Sequence, residues 1–275
     1  MGRGHDHLLV TTIFKPTPAV HAFLAASSDS RVVVVGDKKT AAAPWRQLSQ
    51  EQQGRVIYLP VDDQRNASLQ VASVLSWNHF GRKNLGFLYA VKHGARWCFD
   101  FDDDNILGRV DSNRTHTLYH MYHAILHGRA CVHLGGTQHH LYNPYPDFGP
   151  SSSPRPVDRE NLIVWLRGFP LEFITTRETY SQPAASDVAL TEVAVFQSLA
   201  DHNPDVDAIY RMTRKLPLSF HVHHEVRALP RGTYAPFNAQ ATVWRTPAFW
   251  AMLLPVTVAS RVADIWRAYI CERLL

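Results

Sequence analysis

Four carboxylates fall within five residues in the segment Trp97-Cys98-Phe99-Asp100-Phe101-Asp102-Asp103-Asp104-Asn105. They close an apolar stretch that reads as a strand. Two like charges about 5 Å apart repel by roughly 3 kcal/mol at an effective dielectric near 20. Several such pairs persist where a cation neutralises them or where the pKa values rise. Oxygen donors of this kind suit a hard divalent ion such as Mn²⁺ or Mg²⁺. In an α/β sheet, ligands collect at the carboxyl ends of the strands. An acidic solvated turn is the plainer alternative.

Three chemistries use such a cluster. An EF-hand loop would place Asp100, Asp102 and Asp104 at its first, third and fifth positions and Leu107 at its eighth. It would then need Gly at Asn105 and Glu at Asp111, and a helix where the sequence predicts a strand. An aspartyl phosphatase would need Thr or Val where Asp104 stands. The third is the DxD motif of nucleotide-sugar glycosyltransferases, in which a strand ends in acid and the carboxylates hold a cation against a diphosphate. That ion offsets charge developing on the leaving group. On this reading Asp102 and Asp104 are the metal ligands, and Asp103 assists by bonding ribose or a coordinated water.

The elements that must position these groups alternate in type. Strands are predicted at Leu8–Phe14, Arg31–Val35, Arg55–Leu59 and Ala95–Phe101, and helices at Thr17–Ala26, Ala67–Leu75 and Asn84–His93. The run of valines from Val32 to Val35 marks a strand covered on both faces, and strand–helix alternation argues for a parallel sheet. Further on, a helix is predicted at Thr115–His127, strands at Ala130–Leu134, Val193–Ser198, Leu216–His221 and Ala241–Trp244, and helices at Pro247–Leu254 and Ser260–Leu275. A Pro- and Ser-rich loop fills 142–158. The fold class is therefore α/β, a mostly parallel central sheet flanked by helices; joined to the DxD reading of the acidic run, it leads to the expectation of a GT-A nucleotide-sugar transferase fold. It forms one domain over 1–275, with a nucleotide-binding half (1–110) and an acceptor or catalytic half (111–275).

In such a fold the first two strand ends meet the nucleoside. They carry Thr11 and Thr12, then Asp37 and Lys38. Asp37 would accept from ribose or the uracil N–H, and Lys38 would face phosphate; an ordinary turn is the alternative. Arg82, Lys83 and Asn84 open a helix whose N-terminus favours anions and would suit a diphosphate or ribose.

The segments VVVVGDKKT, WNHFGRKNLGFLYAVKHGA, DFDDDN, YNPYP, RGFPL, NPDVDAIYR, YAPFNAQAT and FWAMLLPVTVASRVADIWRAYICERLL resemble the STELLO family of putative Golgi glycosyltransferases. The resemblance runs in order from about Val32 to Leu275. It implies a GT-A-like catalytic domain, a sugar-nucleotide donor and a Golgi lumenal setting. In plants, members of this family are Golgi membrane proteins that affect assembly of the cellulose synthase complex. A fainter similarity reaches the reversibly glycosylated polypeptides, which include UDP-arabinopyranose mutases. The expected activity is metal-dependent transfer from a UDP-sugar, using Mn²⁺ or Mg²⁺, to a glycan, protein or lipid acceptor. A nucleotide-sugar mutase and a non-catalytic scaffold assisting polysaccharide-synthase assembly are the alternatives.

The late motifs suggest further site residues. Asp207, with Arg211 one helical turn on, is a candidate catalytic residue that would bind the acceptor, or else a helix cap with an i,i+4 Asp–Arg pair. Asn238 and Gln240 precede a strand and could bond sugar hydroxyls. Asp264, beside Arg261 on one helix face, is the candidate base for the acceptor hydroxyl; a buried Asp264–Arg261 pair is the alternative.

Composition narrows the rest. The chain has 275 residues, 45% hydrophobic and 19% charged, with a formal net charge of +4. Its basic residues are scattered, so no nucleic-acid partner is expected. Three cysteines exclude a disulfide framework. No apolar run reaches the roughly 18–20 residues of a membrane span. Neither a signal nor an anchor is expected in this chain, which leaves the cytoplasm open beside the Golgi. Sixteen histidines include a helical set at His116, His120, His123 and His127, a pair at His139-His140, and a group at His221, His223 and His224. They read as exposed histidines, with His221 or His223 able to serve as a third metal ligand by position only.

Overall fold

The computed structural model describes residues 7–26, 30–66, 70–105, 109–111, 114–115, 129–134, 140–148, 163–175, 182–220 and 227–275. In chain order the elements begin with β1 (His7–Thr12), α1 (Pro18–Ala26), β2 (Arg31–Gly36), α2 (Ala42–Glu51), β3 (Val56–Leu59), α3 (Val61–Asn66), α4 (Val71–Val74), α5 (Lys83–Lys92) and β4 (Trp97–Phe101). They continue with β5 (Arg109–Asp111), β6 (Arg114–Thr115), β7 (Arg129–Leu134), β8 (Gln182–Ala189), β9 (Val195–Gln197), α6 (Ala208–Thr213), β10 (Arg227–Ala228), β11 (Ala241–Arg245) and α7 (Ala263–Leu274).

These elements fall into two compact units, each drawn from three stretches of the chain. The first gathers the described residues up to 115, Ala194–Gln197 and Ala239–Arg267. The second gathers those from 129 to Val193, Ser198–Asn238 and Ala268–Leu275.

The first unit is built on a six-stranded sheet of order β3-β2-β1-β4-β11-β9. β3, β2, β1 and β4 run parallel, and β11 is antiparallel to both β4 and β9. The parallel strands are long apolar runs because helices cover both faces. Leu8, Leu9, Val10 and Val32–Val35 are all buried. On α1, Phe23 packs against Phe99 and Phe101 with ring centroids 5.2 and 4.2 Å apart. Helix α5 lies against β1 and β2. It comes close because Gly86 has no side chain: a Cβ there would sit 3.0 Å from Val35 Cγ2. Strand order reverses between β1 and β4, so the carboxyl ends of those two strands form the crevice where open α/β sheets bind ligands.

The second unit holds a three-stranded sheet in which β7 pairs parallel with β10 and antiparallel with β8. Its core includes Tyr145, Val164, Trp165, Phe169, Val206, Tyr210 and Leu218.

The four parallel strands lie where the sequence predicts them, within two residues at each end. The prediction differs elsewhere. Helix α2 was not expected, because only Trp45 and Leu48 are buried on it and so weak a stripe gives little periodic signal. The helix predicted at Ala67–Leu75 is replaced by α3 and the short α4 on either side of 67–69. Leu216–His221 forms no strand among the described residues; Leu218 makes an isolated bridge with His202. The Pro247–Leu254 prediction becomes a 3₁₀ helix at Thr246–Ala251. The helix predicted over Thr115–His127 (apart from Thr115, which belongs to β6), residues 149–158 of the predicted 142–158 loop, and the histidines other than His140 in the three groups lie outside the described residues.

Replacing Phe23 with Ala removes the ring joining α1 to β4. We expect a loss of about 3–5 kcal/mol in unfolding free energy, read from a urea or guanidinium melt.

Candidate active site

The acidic residues of the strand split into two levels. Asp100, one residue from the end of a strand buried along its whole length, points into the protein and is fully buried. There it pairs with Lys83 through Oδ1 and with Arg267 Nη2 at 3.2 Å through Oδ2. Asp102, Asp103 and Asp104 follow the strand in a turn closed by the Asn105 N–H donating to the Asp102 carbonyl at 3.1 Å. Aspartate is a favoured first residue of such turns.

That turn is gripped from both sides. From β1, the Thr12 hydroxyl donates to the Asp103 carboxylate, and the Thr17 hydroxyl donates to the Asp103 carbonyl. On the β11 side, the Gln240 carbonyl accepts from Asp102 N–H at 3.1 Å and from Asn105 Nδ2 at 2.9 Å. Gln240 Nε2 returns a bond to Asn105 Oδ1 at 3.1 Å. Asp103 is therefore committed to the frame. Asp102, with a side chain 40% exposed, and the exposed Asp104 are the carboxylates presented outward.

Burial pushes the Asp102 carboxyl up to about 6. Lys83 opposes that rise, while Asp100, Asp104 and Asp103 add to it. Asp103 is also raised, by burial first, against the pull of its Thr12 bond. Among the described residues no three His, Cys, Asp or Glu side chains gather to hold a metal ion, so the outward carboxylates fit only an ion whose other ligands come from elsewhere.

At the end of β2, the Lys38 N–H donates to Asp37 Oδ1 at 2.7 Å. Thr40 joins this turn to β1, its hydroxyl accepting from Asp37 N–H at 2.7 Å and donating to the Thr12 carbonyl at 2.5 Å. A Cβ at Gly36 would sit 2.7 Å from the Tyr58 hydroxyl, so any larger residue there would have to push that ring aside. Asp37 is buried and Lys38 exposed.

Three residues predicted to face phosphate or ribose face inward instead. Arg82 is buried: its Nε and Nη2 donate to Gln64 Oε1 at 2.9 and 2.6 Å, and its Nη1 donates to the Leu75 carbonyl at 2.9 Å. The guanidinium also lies 3.5 Å from the Trp77 ring centroid. Lys83 is buried beneath the acidic turn. Asn84 clasps Leu254, donating to its carbonyl at 2.9 Å and accepting from its N–H at 2.7 Å. The local pattern of two cations at a helix start gave no hint of these partners.

Asp264 is buried, with Oδ2 accepting from Ala239 N–H at 3.3 Å and Oδ1 from Ile265 N–H at 3.0 Å. It ties α7 to the segment that leads into Gln240. Arg261 is exposed. The Thr11 side chain lies outside the described residues.

In the second unit, Asp207 is a helix cap. It accepts from Tyr210 N–H at 2.7 Å and from the Trp165 indole. Arg211 donates to Asn203 Oδ1 and the Pro204 carbonyl, at 2.8 and 2.9 Å. Asn238 Nδ2 donates to Asp205 Oδ2 at 2.9 Å. Glu272 was not singled out by the sequence, yet burial pushes its carboxyl up to about 8.

A six-stranded mixed α/β sheet flanked by helices, with this acidic turn at its switch point, is consistent with a GT-A-like glycosyltransferase fold. No family model matches the chain. It is 30% identical over 237 residues to two proteins of Arabidopsis thaliana, named probable glycosyltransferase STELLO1 and probable glycosyltransferase STELLO2. Each match covers 80% of this chain and 28% of the relative, so the chain spans little more than a quarter of their length. Over that shared stretch the chain is a relative of the two STELLO proteins. Among the described residues, no helix is long and apolar enough to cross a membrane.

Two measurements probe these assignments. The unfolded chain loses the Asp102 proton near 3.8 and the folded chain keeps it to about 6. Stability therefore falls as pH rises through that window, and the penalty is complete above it. Asp102→Asn should melt higher than wild type at pH 7 without metal, with the gain vanishing toward pH 4. Asp207→Ala should cost about 1 kcal/mol or more and Asp207→Asn, which still caps, clearly less, both read by denaturant melts.

Proposed function

We propose that the first unit is the donor site of a metal-dependent glycosyltransferase that uses a nucleotide-diphospho-sugar, a UDP-sugar above all. The observation that carries this reading is the Thr12–Asp103 bond across the switch point, which fixes the acidic turn with Asp102 and Asp104 outward. The names of the relatives support the same class.

In this reading the nucleoside lies over the ends of β1 and β2, beside Thr12 and Asp37, with Lys38 available to phosphate. Asp102 and Asp104 would hold Mn²⁺ or Mg²⁺ together with the diphosphate. A divalent ion there supplies the charge that stabilises the leaving diphosphate. Asp103 and Gln240 keep the turn in one geometry before substrate arrives, so little reorganisation is needed at the moment of reaction. Asp264 holds Ala239, and through it Gln240, in place; it acts as a positioning residue. The acceptor is a hydroxyl of a glycan, protein or lipid, and the working compartment is the Golgi lumen that the family resemblance implies.

Calorimetry tests the proposal. Wild type should bind UDP in the presence of Mn²⁺, and Asp104→Ala should bind it about tenfold more weakly or worse. Equal affinity in the two proteins would remove the metal assignment. Mn²⁺-dependent hydrolysis of a UDP-sugar would separate an enzyme from a scaffold, and a ring-isomer product would instead identify a mutase.

A further inference from the structure

Lys83 carries a charge that the donor-site reading does not use. Its ammonium is 1% exposed and sits among four oxygens. It pairs with Asp100 Oδ1, donates to the Phe101 carbonyl at 3.0 Å, and lies 3.4 Å from the Ala239 carbonyl and 3.7 Å from Asp102 Oδ1. Its neighbours Arg82 and Asn84 are bonded inside the fold, so the start of α5 is fixed and Lys83 cannot swing to the surface. Arg267 already neutralises Asp100 from the other side. Two buried cations thus face one buried carboxylate, and the surplus positive charge is directed at Asp102.

We propose that Lys83 is a built-in counter-ion that disfavours a divalent metal binding alone and favours a metal bound together with a nucleotide diphosphate. The inference rests on the donor-site reading above. A fixed positive charge behind Asp102 repels a bare divalent ion and attracts a diphosphate. The metal–diphosphate pair has little net charge and is nearly indifferent to it. The two ligands are therefore coupled, each raising the affinity of the other by the same factor. Mg²⁺ and similar ions suit this arrangement, being commonly held by one or two carboxylates and completed by substrate phosphates.

Mn²⁺ titrations read by electron paramagnetic resonance, without and with saturating UDP, test the idea. Wild type should bind Mn²⁺ weakly alone and much more tightly with UDP. In Lys83→Met, Mn²⁺ alone should bind roughly tenfold more tightly, and the gain on adding UDP should shrink. Lys83→Gln keeps N–H donors for the two carbonyls and carries the same expectation should the Met variant fail to fold. Lys83→Arg retains the charge and should behave as wild type. A merely structural lysine gives the opposite sign, since its loss would loosen the site and weaken Mn²⁺ binding. A folded neutral variant that binds Mn²⁺ no more tightly than wild type overturns the inference while leaving the donor site standing. A wild type that shows no Mn²⁺ binding even with UDP overturns both.

Discussion

The first unit is organised around one buried carboxylate. Asp100 lies one residue from the end of β4 with no access to solvent and holds Lys83 with one oxygen and Arg267 with the other. A buried ion set of this kind adds little over well-packed apolar residues, but removing one partner strands a charge at a cost of about 3–5 kcal/mol. What it provides is position. It welds the start of α5, the end of β4 and the first turns of α7 to a single point. Arg267 extends the weld by donating to the Met252 carbonyl at 2.8 Å and lying 4.8 Å from the Trp244 ring centroid on β11. Asn84 does the same through Leu254.

The shape of the acidic turn follows from that weld. With β4 anchored just below its end, the chain leaves the sheet at a fixed angle, and Asp102 N–H meets the Gln240 carbonyl. Thr12 and Thr17 then close the other side. Three like charges in a row would spread an unconstrained loop. Here hydroxyls and backbone groups hold the loop, so burial first, and repulsion among the carboxylates after it, raise the pKa values of Asp102 and Asp103 in place of a change of conformation. The burial that makes the turn costly to charge also strengthens its electrostatic interactions with a ligand.

How much of this is legible in the sequence depends on whether the partner is near or far along the chain. The parallel strands announce themselves, because a strand covered on both faces must be apolar throughout. The acidic run announces itself as well, since so many carboxylates together need an explanation. Strand β8 does not: Pro183 and a run of small residues give QPAASDVA little strand character, and pairing with β7 decides it. Arg82 and Lys83 read as surface cations because most lysines and arginines are exposed. Their burial is set by Gln64 and Asp100, each under twenty residues away, and by Arg267, which meets Asp100 across 167 residues. No local pattern carries that information.

The family motifs of the second unit have a different physical meaning. Arg167 of RGFPL forms a two-pronged pair with Asp205 of NPDVDAIYR, at 2.8 and 2.9 Å, and Asn238 of YAPFNAQAT donates to the same carboxylate. Arg211 binds the turn at Asn203 and Pro204, and Asp207 caps α6 while accepting from the Trp165 indole. These motif residues are one another's partners. Three distant segments meeting at one half-buried carboxylate constrain each other strongly, because losing any donor leaves part of that carboxylate unsatisfied. Motif density in this unit therefore follows from a packing requirement and needs no ligand to explain it. DFDDDN differs in kind: Asp100 and Asp103 are consumed by the fold, whereas Asp102 and Asp104 are left facing outward, and at Asp102 the fold raises the cost of carrying the charge.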